Sequence, residues 1–377
     1  MFIPLLILVF SRPLISSLAY PYLNYLYSAV LLGFIISWII LKGAPIQELK
    51  PIASLFFLLI AISISIIFAS NKASFQLELY KYIIGIFILL ICRTLCYKDK
   101  IILIKTMVAT GISISFIAIY QYFFEFQQLL SQIDPNNQFY ADIIKQKRAF
   151  SPFVTPNALG GYLAMIIPLT LSFKKYRVWI IIPLFFALLL TKSMGAIICI
   201  FIALLIYSFL RGKITNNRII ALIGLVILFF IVFISRVFAH RDNLQPLFST
   251  TMRLSYWKDS LMIIKAHPLV CLGLGNFNLE YSRFAHNSYL QIWAEIGIFG
   301  IISFFWFIIA ILKLGLINLK GSIDKAVEIG LICSICVFLI HNLIDFTFFL
   351  PEINLIWWAM LGLLLNNNTV LGRKTKI

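Results

Sequence analysis

Charged residues are scarce in this chain of 377 residues. Lysine, arginine, aspartate and glutamate make up 12% of the sequence, and only 14 residues are acidic. In a soluble domain about a quarter of the residues are charged. This chain is instead 62% hydrophobic. The composition excludes an ordinary soluble domain and favours a membrane protein. Apolar and polar residues do not alternate along the apolar runs, which argues against a transmembrane β-barrel.

The signatures of several enzyme classes are also missing. The sequence contains no P-loop, no HExxH motif and no DxD pair in a predicted outer loop, so nothing in it points to a nucleotide, zinc or Mg²⁺ site. Cys271 stands alone in a predicted loop, and the other five cysteines fall in or beside apolar runs. Cys333 and Cys336 have CxxC spacing but lack a second pair for zinc. We predict no disulfide framework, no metal and no cofactor.

Long apolar runs dominate what is present. PIASLFFLLIAISISIIFA (51–69) and RIIALIGLVILFFIVFIS (218–235) are each long enough to cross a hydrocarbon layer of ~30 Å as a helix. We predict an all-α polytopic membrane protein, a single transmembrane domain over residues 1–377 with about 12 helices of spanning length. The predicted spans are 3–18, 23–41, 52–69, 80–96, 101–124, 158–173, 178–190, 194–210, 219–236, 287–312, 327–345 and 353–366.

The net charge of +17 is best explained by membrane topology. Lysine and arginine hold cytoplasmic loops in place. With the N-terminus in the cytoplasm, every predicted inside loop carries at least two basic residues, and the short outside loops carry only Lys72, Lys81 and Lys192. Both termini are therefore predicted to be cytoplasmic, and we do not expect nucleic acid as a partner.

Two predicted outer loops are long, 125–157 and 237–286. Connections of that length in a compact protein are more often functional than not. The polar motifs of the sequence also collect at this outer face. They are KQKRAFSPFVTPNALGGYL (145–163), TTMRLSYW (250–257), AHPLVCLGLGNF (266–277), SRFAHN (282–287) and HNLIDFTFFLPE (341–352).

One predicted span begins with a polar stripe. Asn287, Gln291 and Glu295 are four residues apart, so they share one face of a helix, with His286 at its outer end. An ionisable residue within a span usually faces the bundle interior or a watery cavity, which makes Glu295 a candidate functional residue. The alternatives are that Glu295 pairs with a neighbouring helix and fixes packing, and that His286 is a plain interfacial histidine.

Arginines are the second group of candidate site residues. Arg148, Arg236, Arg241, Arg253 and Arg283 are all predicted at the outer face, and the last two bracket the stretch that leads to His286. A guanidinium group binds phosphate oxygens with two parallel hydrogen bonds. The alternative for any one of them is a solvated loop residue or a contact with anionic lipid headgroups.

Glycines in three places indicate close approach of the backbone. Gly273 and Gly275 in CLGLGNF, and the Gly160-Gly161 pair, predict tight turns or close contacts. A GxG pair alone is weak evidence for phosphate binding. Two further glycines in the histidine-bearing span, at 297 and 300, are expected to allow close helix packing.

Taken together, these motifs resemble a known family. HNSYLQIWAEIGIFG (286–300) resembles the signature of the O-antigen ligase and polymerase superfamily of bacterial membrane glycosyltransferases. Other segments over residues 145–365 are similar to that family in the same order. They are RAFSPFVTPNALGGYLAMIIPL (148–169), RLSYWKDSLMIIKAHPLVCLGLGNF (253–277) and HNLIDFTFFLPEINLIWW (341–358). The family often shows T-x-S-R-G where this chain has Thr191-Lys192-Ser193-Met194-Gly195, so Lys192 is the alternative source of that charge.

The resemblance implies a GT-C-like, multi-pass enzyme of the bacterial inner membrane that contributes to lipopolysaccharide biosynthesis. It would move a glycan from an undecaprenyl-pyrophosphate carrier to an acceptor lipid or glycan at the periplasmic face, among membrane lipids. Diphosphate is a good leaving group, so a metal is not required.

The outer-face residues fit such a reaction. His286 would take a proton from the acceptor hydroxyl or give one to the leaving phosphate, with Glu295 as a second catalytic candidate. Arg253 and Arg283 would bind the pyrophosphate and stabilise its developing charge, followed by Arg148 and Arg241.

The acceptor leaves two functions open within the family. A ligase moves the finished glycan onto lipid A–core or another acceptor, and a polymerase moves it onto another lipid-linked repeat unit. We favour the ligase on overall resemblance. A transporter or flippase is a third alternative, but transporters tend to contain repeats and midplane sites, and this sequence shows no repeat. A non-catalytic scaffold would not need His286 beside an arginine-rich loop.

Overall fold

The computed structural model describes residues 1–43, 52–131, 138–173, 175–212, 216–239, 248–267, 269 and 272–366. Within these ranges the chain is helical and has no β-strand, which confirms the all-α prediction. The helices are α1 Phe2–Ser11, α2 Pro21–Lys42, α3 Ile52–Ser65, α4 Lys72–Arg93, α5 Tyr97–Tyr120, α6 Phe126–Ser131, α7 Gln138–Lys145, α8 Pro156–Ile166, α9 Arg177–Leu190, α10 Met194–Leu210, α11 Asn216–Ala239, α12 Phe248–Ala266, α13 Ser288–Gly321, α14 Lys325–His341 and α15 Pro351–Leu364.

Each predicted span coincides with a helix. Four stretches are long and apolar enough to cross a membrane, namely Pro21–Lys42, Lys72–Arg93, Tyr97–Ser131 and Ser288–Gly321, and several other apolar helices are shorter. The largest boundary differences are at α4, which begins eight residues before the predicted start of 80, and at α13, which continues beyond 312. The structure is that of a polytopic membrane protein, and the exact number of spans stays a prediction.

Both predicted outer loops contain helices. The first holds α6 and α7, and the second holds the 19-residue helix α12. The segment that forms α12 has no glycine or proline, and Pro268 follows two residues after its end, which suits an uninterrupted helix with a sharp stop. Apolar and charged residues are mixed along it, so the segment does not stand out as a span. This helix carries Arg253 and brings it close to the start of α13.

Helix α13 is broken at Gly297. Its φ of 73° and ψ of −177° lie outside the helical region, in a conformation that favours glycine. The backbone carbonyl of Ala294 accepts a hydrogen bond from the N–H of Leu272 at 2.9 Å, so the loop before α13 binds where the helix is interrupted. Gly297 is buried, and the backbone break is a reason for glycine at this position that the packing prediction did not include.

The first turns of α5 and α14 are joined by a buried ion pair. Lys100 Nζ lies 2.6 Å from Glu328 Oε1, and both side chains are at most 1% exposed. Lys100 is one of the basic residues of a predicted inside loop. In the structure it is a core residue, because Glu328 supplies the charge that lets it be buried.

Removal of one partner from this pair should destabilise the protein. We expect Lys100→Ala to lower the free energy of unfolding by about 3–5 kcal/mol, because the buried Glu328 carboxylate would lose the opposite charge of Lys100. Lys98→Ala, at an exposed position in the same helix, serves as the control. Thermal unfolding in detergent measures both, and equal midpoints for the two variants would contradict the assigned role of the pair.

Candidate functional site

His286 sits in the last turn before α13, in a conformation that is unusual for its residue type. Its φ is +50°, in the left-handed region, which non-glycine residues rarely adopt without surrounding support. The indole N–H of Trp257 donates to the His286 carbonyl at 3.3 Å. The next residue, Asn287, caps α13 through its side-chain oxygen, which accepts from the N–H groups of Tyr289 and Leu290. Helix α12 and the cap of α13 thus support the backbone on both sides of His286.

The imidazole lies among aromatic rings from two other segments. Tyr256 of α12 stacks on it with ring centroids 5.4 Å apart and planes at 18°. Phe346, after α14, meets it almost perpendicularly at 4.8 Å. Nδ1 of His286 is buried and has no hydrogen-bond partner in the part of the chain that the structure describes. The ring is therefore held in place by packing, and its Nδ1 is not engaged by another described residue.

Hydrogen bonds join the start of α13 to the end of α14 directly beside His286. The N–H of Ser288 donates to the Asn342 carbonyl at 2.9 Å. The Ser288 hydroxyl lies 2.6 Å from Asn342 Oδ1 and 3.2 Å from the Asp345 carbonyl. Ser288, Asn342 and Asp345 are each 1% exposed, and we call them the α13–α14 seam. The seam brings Asp345 into the electrostatic environment of His286.

The surroundings keep His286 neutral. Burial lowers the pKa of the imidazole to about 4, the nearby Asp345 carboxylate opposes this shift, and the positive charge of Arg253 adds to it. Arg253 is partly buried on α12, close to one turn before Tyr256. At neutral pH the ring can accept a proton, and a cation is near enough to influence it.

The predicted polar stripe on α13 is present. Gln291 Oε1 accepts from the backbone N–H of Ala285 at 3.2 Å, and Gln291 Nε2 donates to Glu295 Oε1 at 3.0 Å. Glu295 is 1% exposed. Glu295 is therefore connected to the loop before His286 through Gln291. It lies about two helical turns from the start of α13.

Arg283 lies three residues before His286 in the chain. Its side chain is exposed, and its guanidinium carbon is 5.9 Å from the ring centroid of Phe284. Phe284 in turn stacks on Phe346, with centroids 4.2 Å apart and planes at 8°. Phe346 thus contacts both His286 and the residue that follows Arg283, so the structure brings this arginine close to the site.

Arg148 has a different environment. It is buried, its Nε donates to the Thr191 carbonyl at 3.0 Å, and its Nη2 donates to Asn157 Oδ1 at 2.9 Å. Lys192 Nζ donates to the Gln146 carbonyl at 2.8 Å. Arg148 and Lys192 therefore connect the segment after α7 to the turn between α9 and α10. Arg241 lies outside the described residues, as does the side chain of Arg236.

Sequence reasoning missed two residues of this site, His341 and Asp345. His341 Nε2 is 3.9 Å from Asp345 Oδ2, and the ring packs so closely on Gly161 that a Cβ there would lie 2.5 Å from His341 Cε1. The two residues are four apart in HNLID, but α14 ends at His341, so Asp345 approaches the histidine from the turn that follows the helix. This contact also explains part of the Gly160-Gly161 pair.

Gly273 and Gly275 belong to a loop that packs on the connection between α3 and α4. A Cβ at Gly273 would lie 2.4 Å from the Ala69 backbone, and one at Gly275 would lie 2.6 Å from the Ser74 carbonyl oxygen. Asn276 Oδ1 accepts from the N–H of Asn71 at 2.6 Å. The predicted close backbone approach is confirmed, and its partner is the connection between α3 and α4.

The chemistry of the described site rests on imidazole, guanidinium and carboxylate groups. No group of three His, Cys, Asp or Glu residues in the described ranges lies close enough to hold a metal ion. The cysteines that the structure describes are free thiols.

Part of the chain matches the model of a protein family. The model of the family described as O-Antigen ligase matches residues 179–305. The match confirms the resemblance to the O-antigen ligase and polymerase superfamily. It covers about a third of the chain and includes Arg253, Arg283, His286 and Glu295. Comparison with curated proteins gives no match. Residues 179–305 are thus similar to an O-antigen ligase domain, which supports an O-antigen ligase-like membrane enzyme.

The electrostatics of His286 can be measured directly, because the chain has only four histidines. We expect the His286 ring to stay neutral from pH 8 down to pH 5, since burial and Arg253 lower its pKa to about 4. NMR of protein carrying ¹⁵N-labelled histidine reports the ring state, and His286→Gln assigns the signal. A titration midpoint near the ordinary value of 6.5 would contradict the described environment.

Proposed function

We propose that the protein transfers a glycan from an undecaprenyl-pyrophosphate carrier to an acceptor hydroxyl at the periplasmic face of the bacterial inner membrane. The observation that carries this proposal is His286. It is a neutral imidazole with an unpartnered nitrogen, influenced by the charge of Arg253, within the segment that matches the O-Antigen ligase family. The resemblance supplies the class of donor, and the site supplies groups suited to proton transfer and anion binding.

The proposed roles follow from position. His286 accepts the proton of the acceptor hydroxyl. Arg253 binds the pyrophosphate. Arg283, which is exposed three residues before His286, binds the donor or the acceptor. Glu295 positions the loop before His286 through Gln291, as its hydrogen bond at 3.0 Å suggests. Arg148 is occupied by Thr191 and Asn157, so it would act by holding the outer segments together. A role for Arg241 remains a prediction from the sequence.

The reaction balances without a further reagent. The acceptor oxygen forms a bond to the anomeric carbon as the bond from that carbon to the pyrophosphate oxygen breaks, and the hydroxyl proton passes to His286. Negative charge that develops on the pyrophosphate is stabilised by Arg253. The bound pyrophosphate also opposes the effect of Arg253 on His286, which raises the pKa of the ring and makes it a better proton acceptor in the complex.

Two acceptors remain compatible with this site. As a ligase the enzyme would use lipid A–core or another acceptor, and as a polymerase it would use a second lipid-linked repeat unit. We favour the ligase, in keeping with the description of the matched family. A transporter is a poorer fit, because the neutral histidine and the arginines gather at the outer ends of the helices and do not lie along a path across the bundle.

Replacement of His286 should stop glycan transfer in cells. We expect a strain that lacks this gene to be restored by wild type but not by His286→Ala, because the proton acceptor is gone. Surface glycans separated on a gel are the readout. Loss of all glycan on the acceptor, with lipid-linked chains accumulating, indicates a ligase, and an acceptor with a single repeat indicates a polymerase.

His267→Ala is the matched control for this experiment, because His267 is exposed at the end of α12 in the same outer segment. It should restore the glycan pattern as wild type does. Full restoration by His286→Ala at equal protein level would overturn the catalytic role of His286.

Arg253 should contribute to the transition state more than to folding. We expect Arg253→Gln to lower the transfer rate about 10²-fold, the size of effect seen when one charge-stabilising donor is removed. Lys258→Gln, an exposed cation on the same helix, should change the rate less than about twofold. The rates are measured in isolated membranes with lipid-linked donor. Equal rates for the two variants would show that α12 supplies only general positive charge.

A further inference from the structure

Helix α12 has an exposed stripe along one side. Its residues follow one another at intervals of three or four, so they lie on one face of the helix. The exposed residues of this stripe are Thr251, Leu254, Lys258, Leu261, Met262 and Lys265. Its two leucines and its methionine are each 41–57% exposed. We call this set the α12 stripe.

The opposite side of α12 packs against the start of α13. The two helices share a small hydrophobic cluster, to which they contribute Tyr256, Ile263, Ile264, Leu290 and Trp293. The last two of these residues lie in the first two turns of Ser288–Gly321, a helix that is long and apolar enough to cross a membrane. Helix α12 therefore lies beside the predicted outer end of a membrane span, at the level where the hydrocarbon layer meets the lipid headgroups.

The apolar side chains of the stripe form a continuous surface. Leu254 and Leu261 are about two helical turns apart, and Met262 follows directly after Leu261. A continuous exposed apolar surface is typical of a site of interaction. Because α12 lies beside the outer end of α13, the bilayer surface is the nearest partner for these side chains.

The charges of the stripe indicate the kind of lipid it contacts. Lys258 and Lys265 are exposed within it, and Asp259, the one acidic residue in the sequence of α12, lies outside it. Leucines interleaved with lysines are typical of a helix in the headgroup layer, because the apolar side chains enter the acyl region while the cations meet lipid phosphates. The stripe is thus complementary to an anionic membrane surface.

We infer that the α12 stripe binds anionic phospholipid headgroups of the outer leaflet, with its leucines and methionine among the acyl chains and its two lysines at the phosphates. This contact goes beyond the proposed function, because it involves neither the donor nor the acceptor. It also bears on the site. The same helix carries Arg253, and its Trp257 indole donates to the His286 carbonyl at 3.3 Å. Contact with the membrane surface therefore helps to hold α12 against His286.

Alkylation of an introduced cysteine measures this contact directly. The full-length protein, with Cys96 and Cys271 replaced by serine, is placed as a single copy in nanodiscs of phosphatidylcholine, with or without an equal part of phosphatidylglycerol. We expect an uncharged, water-soluble maleimide to react about tenfold more slowly with Leu261→Cys in the anionic nanodiscs, because the thiol lies in the headgroup layer. Asn278→Cys, at an exposed polar position of the same outer segment, should react equally in both.

Reversal of the two lysine charges tests the electrostatic part of the contact. With Lys258→Glu and Lys265→Glu together, the alkylation rates of Leu261→Cys in the two lipids should agree within about twofold, because the stripe is then repelled by anionic headgroups. Lys98→Glu with Lys105→Glu is the matched control. These two lysines are also exposed and seven residues apart, on a helix that begins at the predicted cytoplasmic face, so their reversal should leave the protection unchanged.

Three results would overturn the inference. Equal alkylation of Leu261→Cys in both lipids would show that the stripe faces water. Protection that is as strong without phosphatidylglycerol would exclude recognition of anionic lipid. Protection that appears only in nanodiscs holding two copies would show that the stripe is an interface between copies of this chain.

Transfer gives a separate readout that rests on the proposed function. We expect the wild-type transfer rate to be about fivefold higher in the anionic nanodiscs, and the double reversal on α12 to remove this difference. Lipid-dependent protection without any transfer would contradict the proposed function and leave the membrane contact standing. Lipid-dependent protection with a lipid-independent transfer rate would contradict the link between this contact and His286.

Discussion

The contact between Ser288 and the end of α14 is the interaction on which the rest of the site depends. It places the first residue of one helix against Asn342 and Asp345 of another chain segment, with all three side chains buried. The left-handed backbone of His286 immediately precedes it. Because buried polar groups need partners, this seam can form in few arrangements. It therefore fixes the histidine, the nearby carboxylate and Phe346 in one geometry, on which α12 then packs.

The chain has few charged residues, and several of its cations are paired with glutamates. Lys100, Arg12 and Lys81 each lie beside a glutamate, Glu328, Glu352 and Glu78 respectively. A cation within or near a bilayer is tolerated when it is paired or can reach water. The candidate site works differently, since the imidazole is kept neutral and Arg283 is exposed. The paired cations lie within the helix bundle, and the charges proposed to bind substrate lie near His286.

Much of the fold could be predicted from the sequence, because apolar runs of spanning length can form little else in a membrane. The stripe of Asn287, Gln291 and Glu295 was also predictable, since helical periodicity places residues four apart on one face. Helix α12 was harder to recognise, because its mixed composition lacks a clear apolar face. The Gly297 break and the partners of Arg148 depend on contacts between distant segments, which a single sequence does not reveal.

The candidate site shows the same division. Local pattern singled out His286, Arg253, whose charge influences it, and Arg283, whose neighbour Phe284 stacks on Phe346. His341 and Asp345 were not selected, although they lie in a quoted motif, because their relation to His286 arises from the packing of α14 against α13 and α8. Glu295 drew attention as a buried acid, and its place in the structure favours a supporting role. Sequence identifies unusual residues well, and tertiary contacts decide which of them act together.

The most direct test of the account is transfer by the purified protein. Labelled glycan on polyprenyl pyrophosphate is supplied with an acceptor, and both the glycosylated acceptor and the released polyprenyl pyrophosphate are measured. The account predicts that wild type and His267→Gln form both products in equal amounts, and that His286→Gln forms neither above background while remaining folded. Equal product from His286→Gln would contradict the central claim that the neutral imidazole beside Arg253 carries out the proton transfer.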